Sequence, residues 1–572
     1  MTDSVTLDEE QERVASARPD ENQIVIAGPG AGKSEVVGER CRRLTEHGLY
    51  PEEIFVISFS NAAVSVVRAR TRDVVEEGRG VDTTTIDSLA ARVRNELEDT
   101  EPTYTAYDAS IEKATRLLRR SDEPVFPDVR HVVVDEVQDV VGIRADFLLT
   151  LLEVGFERGV GFTLLGDPMQ GLYDFQLSDE DGLTSEQFLD TVRRRFEVEE
   201  TTLTGEYRSR TPEARRVALV RPELTMLPAG ARLLRLTDVA AELPPLGGVD
   251  EDLADDVRAW TGTTAFLTDT NARAGLVAAQ LAAYGVPVEL AASATDPSLA
   301  PWIGMLLERH PVRTIERSGF LDLADKAHLP DPEASWRTLV KVAGSRRGLD
   351  LSDLAAGLRS RRYPLTLLRK PTASIIASTV HRAKGLEFAN VVLVEVEDWH
   401  SDDERASAHR LFVAMSRARS RLSRCRGISS RGWRKDHRSG TWLQQAPRGR
   451  GTLGFLMEPS HARALGPTSD VLKDRPGSPV RWTSGDEHVT VDGESIPSWV
   501  ATVDGDEVAR TGEELGLLIR RLSFGGRVPN LRGGRVEGLE TVVGPPDDNG
   551  TGRHGFWTGA RVSGPVHFEW GD

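Results

Sequence analysis

Only two cysteines occur in the 572 residues, Cys41 and Cys425. They stand far apart, with no CxxC pair or Cys/His cluster around them, which excludes a zinc ribbon, a four-cysteine iron-sulfur site and a disulfide scaffold. So few cysteines predict a reduced, cytoplasmic setting. No apolar run approaches the ~18 residues that a membrane span requires, and the chain opens on polar and acidic residues, so neither a signal peptide nor an anchor is expected. Positive charge is short as well: the net charge is -18, which argues against a surface coated in nucleic acid by charge alone but leaves room for a local basic track. Lysine is the scarcest cation, 8 of the 71 basic residues, so a lysine inside a motif is informative. None follows Lys473, which speaks against a metal nuclease of the D-ExK type in the C-terminal part. Internal repeats and low-complexity tracts are also missing.

What is present is α/β alternation. Ile24-Val25-Ile26, Phe55-Val56-Ile57, Val132-Val133-Val134, Phe162 to Leu165 and Val391 to Val394 are short, β-branched and free of polar alternation, so they read as parallel strands covered on both faces. Helical stretches separate them, among them Ser34 to Arg43 and Ala62 to Glu77, as in doubly wound units. A second α/β stretch starts near Ala265 and resumes at Ile375, with a helical insertion rich in Leu and Arg between about 297 and 371. Beyond about Arg450, glycines, prolines and alternating strands with the turn pairs Asp492-Gly493 and Asp504-Gly505 predict a β-rich unit. A length of 572 residues fits about three to five domains.

The sharpest local signal is AGPGAGKS, Ala27 to Ser34, placed after a strand and before a helix. Gly28, Gly30 and Gly32 let the backbone wrap a phosphate, the helix start offers N–H groups, Lys33 reaches the β and γ phosphates of ATP, and Ser34 holds Mg²⁺. Ala27 stands where the pattern usually begins with glycine. Such a loop needs an acid at the end of a neighbouring strand. His131 to Glu136 (HVVVDE) supplies Asp135 for Mg²⁺ and Glu136 to activate the attacking water.

With these residues in order, the chain resembles the UvrD/Rep family of superfamily 1 DNA helicases over about residues 1 to 450. The segment Leu7 to Gln11 is similar to that family's glutamine motif, which implies that Gln11 reads adenine. DEVQD (Asp135 to Asp139) carries the Gln138 typical of the family. LLGDPMQGLYDF (Leu164 to Phe175) is similar to GDxxQxIYxF, implying that Gln170 senses the γ-phosphate and Phe175 stacks on a base. GEYRS (Gly205 to Ser209) resembles NYRS, implying that Tyr207 stacks on adenine and Arg208 contacts the γ-phosphate. STVHRAKGLEF (Ser378 to Phe388) resembles TxHxxKGLEF, which puts His381 on DNA and Glu387 on the ribose. VAMSRAR (Val413 to Arg419) resembles VAxTRA, which makes Arg417 a second arginine finger. SFSNAA places Phe59 and Asn61 on single-stranded DNA, although Phe59 also reads as a core residue at a strand end.

The resemblance implies two RecA-like P-loop lobes, short helical insertions and a β-rich C-terminal domain. The first lobe is expected at 1–90 and 131–210, around an insertion at 91–130. The second lobe is expected at 211–296 and 372–450, around an insertion at 297–371, with 451–572 as the C-terminal domain. It implies an ATP- and Mg²⁺-dependent helicase or translocase moving 3' to 5' on single-stranded or tailed duplex DNA, serving repair, recombination or antiviral defence. Some positions depart from the family. Ile86 and Asp87 replace an aromatic and a histidine, Gln176 replaces an arginine and Gly205 an asparagine, all on the DNA side. An acid at position 87 would repel a phosphate. The short insertions and the extra C-terminal domain keep an alternative open: a DNA-sensing ATPase switch, serving as the helicase-like subunit of a nuclease or phage-defence complex. Two basic stretches remain. One is Arg424 to Arg450 with Trp433 and Trp442, read either as a phosphate contact or as a solvated loop with the indoles packed inward. The other is Arg359, Arg361, Arg362, Arg369 and Lys370.

Overall fold

The computed structural model describes residues 6–58, 81–97, 107–121, 125–156, 158–172, 182–291, 298–345, 348–360, 363–447, 451–465, 472, 477–485, 489–491, 494–523, 528–545 and 552–570. The chain divides into two compact units. The first comprises Met1–Pro244, Lys384–Ala389 and Val396–Leu422, and the second Pro245–Ala383, Asn390–Glu395 and Ser423–Asp572.

In the first unit β1 (Gln23–Ala27), β2 (Ile54–Ser58), β3 (Asp82–Thr85), β4 (His131–Asp135), β5 (Gly161–Gly166) and β6 (Glu199–Leu203) form one sheet in the order β3-β2-β4-β5-β1-β6. Every pair is parallel. Both faces are covered, which is why these strands carry continuous apolar lines. Ile24, Ile57, Val134 and Leu164 face one cluster, shared with the helices Ile86–Leu97, Tyr107–Arg120 and Ile143–Phe156. Val25, Val56, Val133 and Leu165 face the other, against Val36, Val37 and Leu44 of the helix Lys33–Glu46. Val93, Ile111, Ala114 and Leu118 of the first insertion are part of the core. Because the strands run the same way, the loops after β1, β4, β5 and β6 all leave from one edge, where open α/β sheets bind ligands.

The second unit holds β7 (Thr264–Thr268) and β8 (Val288–Leu290), a small antiparallel pair β9 (Thr314–Ile315) and β10 (Leu349–Asp350), then β11 (Ile375–Thr379) and β12 (Phe388–Val394). Parallel pairing joins β12, β7, β11 and β8 in that order. The helices Arg317–Lys326, Pro332–Ala343 and Leu351–Arg359 of the insertion close around Phe320, Trp336 and Leu354. Past β13 (Ala418–Cys425) comes a nine-stranded sheet. It contains β14 (Trp433–Lys435), β15 (Trp442–Gln445), β16 (Thr452–Met457), β17 (Ala462–Ala464), β18 (Pro479–Ser484), β21 (Trp499–Val503), β22 (Asp506–Thr511), β23 (Asn530–Val543) and β24 (Phe556–Glu569). A separate hairpin pairs β19 (Val489–Val491) with β20 (Glu494–Ile496). Asp504 (φ 51°) and Gly505 (φ 96°) turn β21 into β22 with the two positive φ angles that such a hairpin asks for.

The nine-stranded sheet is built onto the parallel one. Leu290 N–H of the edge strand β8 donates to Glu537 Oε1, and Arg535 Nη2 donates to Val288 O at 3.1 Å, so β23 covers that edge with side chains. Thr541 Oγ1 accepts from Gly304 N–H at 2.9 Å and donates to Ala300 O at 2.6 Å. Among the described residues no helix is long and apolar enough to cross a membrane.

Candidate nucleotide site

Four strand ends of the first sheet build the site. After β1 the chain turns through Gly30 (φ 80°) and Gly32 (φ 78°) into the helix Lys33–Glu46. A Cβ at Gly30 would lie 2.6 Å from Glu206 Oε1, and one at Gly32 would lie 2.5 Å from Gln11 Nε2, but it is the left-handed backbone that demands glycine at both. Gly32 supplies no side-chain cap, so the first-turn N–H groups are offered to an anion. Lys33 Nζ donates to Ala27 O at 3.2 Å, and Ser34 follows it on the first turn.

After β4 come Asp135 and Glu136. Glu136 is left-handed (φ 58°, ψ 42°), a strained conformation for a residue with a side chain. Asp135 is 4% exposed, and Glu136 N–H donates to its Oδ1 at 2.9 Å. Burial and the neighbouring Glu136 charge push the Asp135 carboxyl up to about 7, against the pull of Lys33. Burial also pushes Glu136 up, but Lys33, Lys384, Gln138 and Arg417 together bring it below the ordinary carboxylate value. The Ser34 hydroxyl and the Asp135 carboxylate are hard oxygen ligands that suit Mg²⁺. No cluster of three or more acidic, histidine or cysteine ligands exists among the described residues, so the ion would share its shell with phosphate oxygens and water.

After β5, Asp167 anchors a network. Its N–H donates to Gln138 Oε1 at 3.0 Å, and its carboxylate accepts from Gln170 Nε2 at 3.0 Å and from Arg221 Nη2 at 2.9 Å. Gln170 Oε1 in turn accepts from Arg417 Nη2 at 2.7 Å. Arg417 is 4% exposed; burial and the nearby Arg208 lower its pKa to about 10, so it stays charged at neutral pH. Lys384 Nζ donates to Gln170 O at 2.6 Å and pairs with Asp139.

After β6 the GEYRS segment folds over the phosphate loop: Tyr207 N–H donates to Gly30 O at 2.9 Å. The Tyr207 hydroxyl donates to Asp8, and its ring leaves no room for a side chain at 205, where a Cβ would lie 2.5 Å from Cε2. Arg208 Nη2 pairs with Glu387 Oε1 at 2.7 Å. Gln11 Nε2 donates to Ala31 O at 3.0 Å, and Gln11 and Asp8 cap each other reciprocally.

Ala27, Gly28, Gly30, Gly32, Lys33, Ser34, Asp135, Glu136, Gln170, Tyr207, Arg208, Glu387, Arg417 and Gln11 thus all belong to the first unit. His381 lies in the second, on the short helix Val380–Ala383 after β11. Phe59, Asn61 and Phe175 lie outside the described residues. Asp87, the misplaced acid, is paired with Arg144 at 3.0 Å. Asp167, Arg221 and Lys384 join the site without a role that their motifs in sequence assign. The lysine scarcity flagged Lys384, but nothing local announced the Arg221–Asp167 pair.

A phosphate loop, a strand-end Asp-Glu pair, a buried glutamine and two arginines together define a site suited to nucleoside-triphosphate hydrolysis. Residues 10–176 match the family described as AAA domain, and residues 374–423 match the UvrD-like helicase C-terminal domain. With the ordered motifs, these matches support a UvrD/Rep-like superfamily 1 helicase, an ATP-hydrolysing enzyme. Among solved structures the chain is similar to a Pif1 helicase from Bacteroides in complex with ADP-AlF3 and ssDNA (12% identity, 74% of this chain and 92% of that one, TM-score 0.33). It is also similar to unliganded Pif1 from Bacteroides sp (13% identity, 75% and 94%, TM-score 0.34). Likeness at this level carries no argument about function. A search of the curated proteins returns no match.

Proposed function

We propose that this chain is an ATP-driven motor that travels on single-stranded DNA in the 3' to 5' direction. The observation that carries the reading is the convergence of Lys33, Asp135, Glu136, Gln170, Arg208 and Arg417, from five separate stretches of sequence, into one compact unit. In this reading Lys33 and the loop N–H groups hold the phosphates, and Ser34 and Asp135 hold Mg²⁺, which neutralises phosphate charge when bound. Glu136 takes a proton from the attacking water. Arg208 and Arg417 present always-charged planar donors to the transferring phosphoryl oxygens. Gln11 and Tyr207 shape the base end, and Glu387 takes the ribose. Through its contacts to both Asp167 and Arg417, Gln170 reports the state of the γ-phosphate. His381, Phe59, Asn61 and Phe175 contribute the DNA contacts. Lobes at 1–90 with 131–210 and at 211–296 with 372–450 divide the labour of gripping and stepping.

Steady-state ATP turnover and strand displacement on a 3'-tailed duplex test this, with Lys33→Ala and Glu136→Gln as references. DNA-stimulated turnover that both substitutions abolish, together with displacement, is the expected result. Turnover without displacement at either tail polarity would favour the DNA-sensing switch. Turnover unchanged by Glu136→Gln would overturn the assignment of the base.

A further inference from the structure

The second unit carries a strongly basic edge that the ATP chemistry does not use. Between Arg426 and Arg438 the chain exposes Arg426, Arg431, Arg434, Lys435 and Arg438, with His437 beside them. None of these five cations is ion-paired among the described residues. The single acid of the stretch, Asp436, is occupied internally. It accepts from Ser439 Oγ at 2.7 Å, Ser439 N–H at 2.9 Å and Arg521 Nη2 at 2.6 Å. In a chain of net charge -18, a run of five unpaired cations with its acid neutralised is a local reversal of the global field.

The edge is also rigidly mounted. Trp433 is 8% exposed and packs with Ala272 and Leu456, and Trp442 leans on the same cluster, so the indoles anchor the β14–β15 hairpin and are not offered for stacking. At its root Ser430 Oγ accepts from Arg273 Nη2 at 3.3 Å. A chain of contacts leads from the hairpin to the His381 segment. Thr441 Oγ1 lies 3.4 Å from His461 Nε2, and Glu458 N–H donates to His461 Nδ1 at 3.1 Å. The Glu458 carboxylate then pairs with Arg382 at 3.3 Å and accepts from Asn271 Nδ2 at 3.2 Å.

We propose that the β14–β15 hairpin is a second DNA contact, gripping the phosphates of a strand that passes His381 without reading its bases. The proposal rests on the reading of the chain as a DNA motor, and the hairpin's linkage through Thr441, His461 and Glu458 to the helix that carries His381 is what selects DNA over an acidic protein. Such a contact releases counterions, so its signature is the salt dependence of binding: a single strand contributes a log–log slope of about 0.7 per neutralised phosphate.

The test is fluorescence anisotropy of the full chain on a labelled oligo-dT strand across a salt series. It compares the unaltered chain with the triple substitution Arg434→Gln, Lys435→Gln, Arg438→Gln. The expected slope falls by about 2, with affinity down about tenfold or more at low salt. A control triple, Arg130→Gln, Arg158→Gln, Arg195→Gln, removes the same charge at exposed positions by the amino-terminal ends of β4, β5 and β6, and its slope stays unchanged. Basal ATP turnover without DNA is unchanged in both, which verifies folding. An unaltered slope in the hairpin variant, or an equal fall in the control, overturns the proposal. The cations would then serve only to keep the terminal strand β14 from pairing with other chains. Failure of the motor reading shows separately, as ATP turnover that Lys33→Ala does not reduce.

Discussion

Glu289 in the second unit and Glu136 in the first are both carboxylates held against arginine, but their surroundings differ. Glu289, 2% exposed, accepts from Arg369 Nη1 at 2.6 Å, from Thr372 N–H and Oγ1 at 2.7 Å and from Ala373 N–H at 2.8 Å. Burial would raise its pKa, but Arg369 and the two threonine and alanine donors outweigh that and lower it. Both oxygens are engaged by groups fixed in the fold. Glu136 instead sits in a strained backbone conformation beside a second carboxylate, and the cations that hold it charged, Lys33, Lys384 and Arg417, come from separate segments. A saturated buried charge ties elements together. One balanced by several cations from separate segments is available to a substrate, because a phosphate can take over some of those partners.

The sharpest way to break this contrast is to remove one charged partner from each cluster. Arg417→Ala is expected to cut ATP turnover by about 10³ to 10⁵-fold, the usual worth of an arginine that stabilises phosphoryl transfer. Arg417→Lys should recover little of it, because the planar fork that reaches Gln170 and Ser416 together is lost. Steady-state hydrolysis checks this, with thermal unfolding run alongside to confirm the fold. A loss below tenfold would remove Arg417 from the transition state. The complementary change, Glu289→Ala, leaves Arg369 buried without its carboxylate and should cost about 3 to 5 kcal/mol of stability. DNA-independent ATP turnover at 25 °C should stay near that of the unaltered chain. Denaturant unfolding reads the first quantity, and a change below about 1 kcal/mol would show that the seam between β8 and β23 is not held by this pair.

How much of this was legible follows from the same distinction. The parallel strands were readable because burial on both faces leaves unbroken β-branched runs, as in Val132 to Val134. The phosphate loop was readable because Gly30 and Gly32 answer a backbone requirement that only glycine meets. Partnership was not readable, since an arginine's role depends on what folding brings near it. Arg359 and Arg369 looked like a basic cluster at a junction, yet Arg359 donates to Gly544 O at 3.1 Å and Arg369 to Glu289 and to Leu539 O at 2.9 Å, while Arg361 and Arg362 lie outside the described residues. Trp433, interleaved with cations in sequence, is core. Lys384 and Arg221 meet Asp139 and Asp167 across long sequence separations that no local pattern encodes.

The first sheet allows the contrast to be sharpened within one element, since its amino-terminal end holds a buried polar cluster of its own. Fully buried Arg40 donates through Nε to Thr163 Oγ1 at 3.3 Å and through Nη2 to Arg18 O at 3.0 Å. Beside it, His131 Nδ1 donates to Pro19 O at 2.7 Å, which places the proton on that nitrogen, and Nε2 meets Thr163 Oγ1 at 3.0 Å. Burial and then the Arg40 charge push the His131 pKa down to about 3, against the Pro19 hydrogen bond. The unfolded chain, with histidine near its ordinary ~6.5, therefore binds a proton that the folded one refuses. Stability from this group is fully present above about pH 6.5 and is lost as pH falls toward 3. Between pH 7 and pH 5 the loss should be about 2 kcal/mol, and His131→Gln should flatten that part of the profile even if it lowers stability at every pH. Urea unfolding at the two pH values measures it. An unchanged slope in the variant would mean that the acid sensitivity belongs to other groups, and that burial beside Arg40 does not exclude the proton from His131.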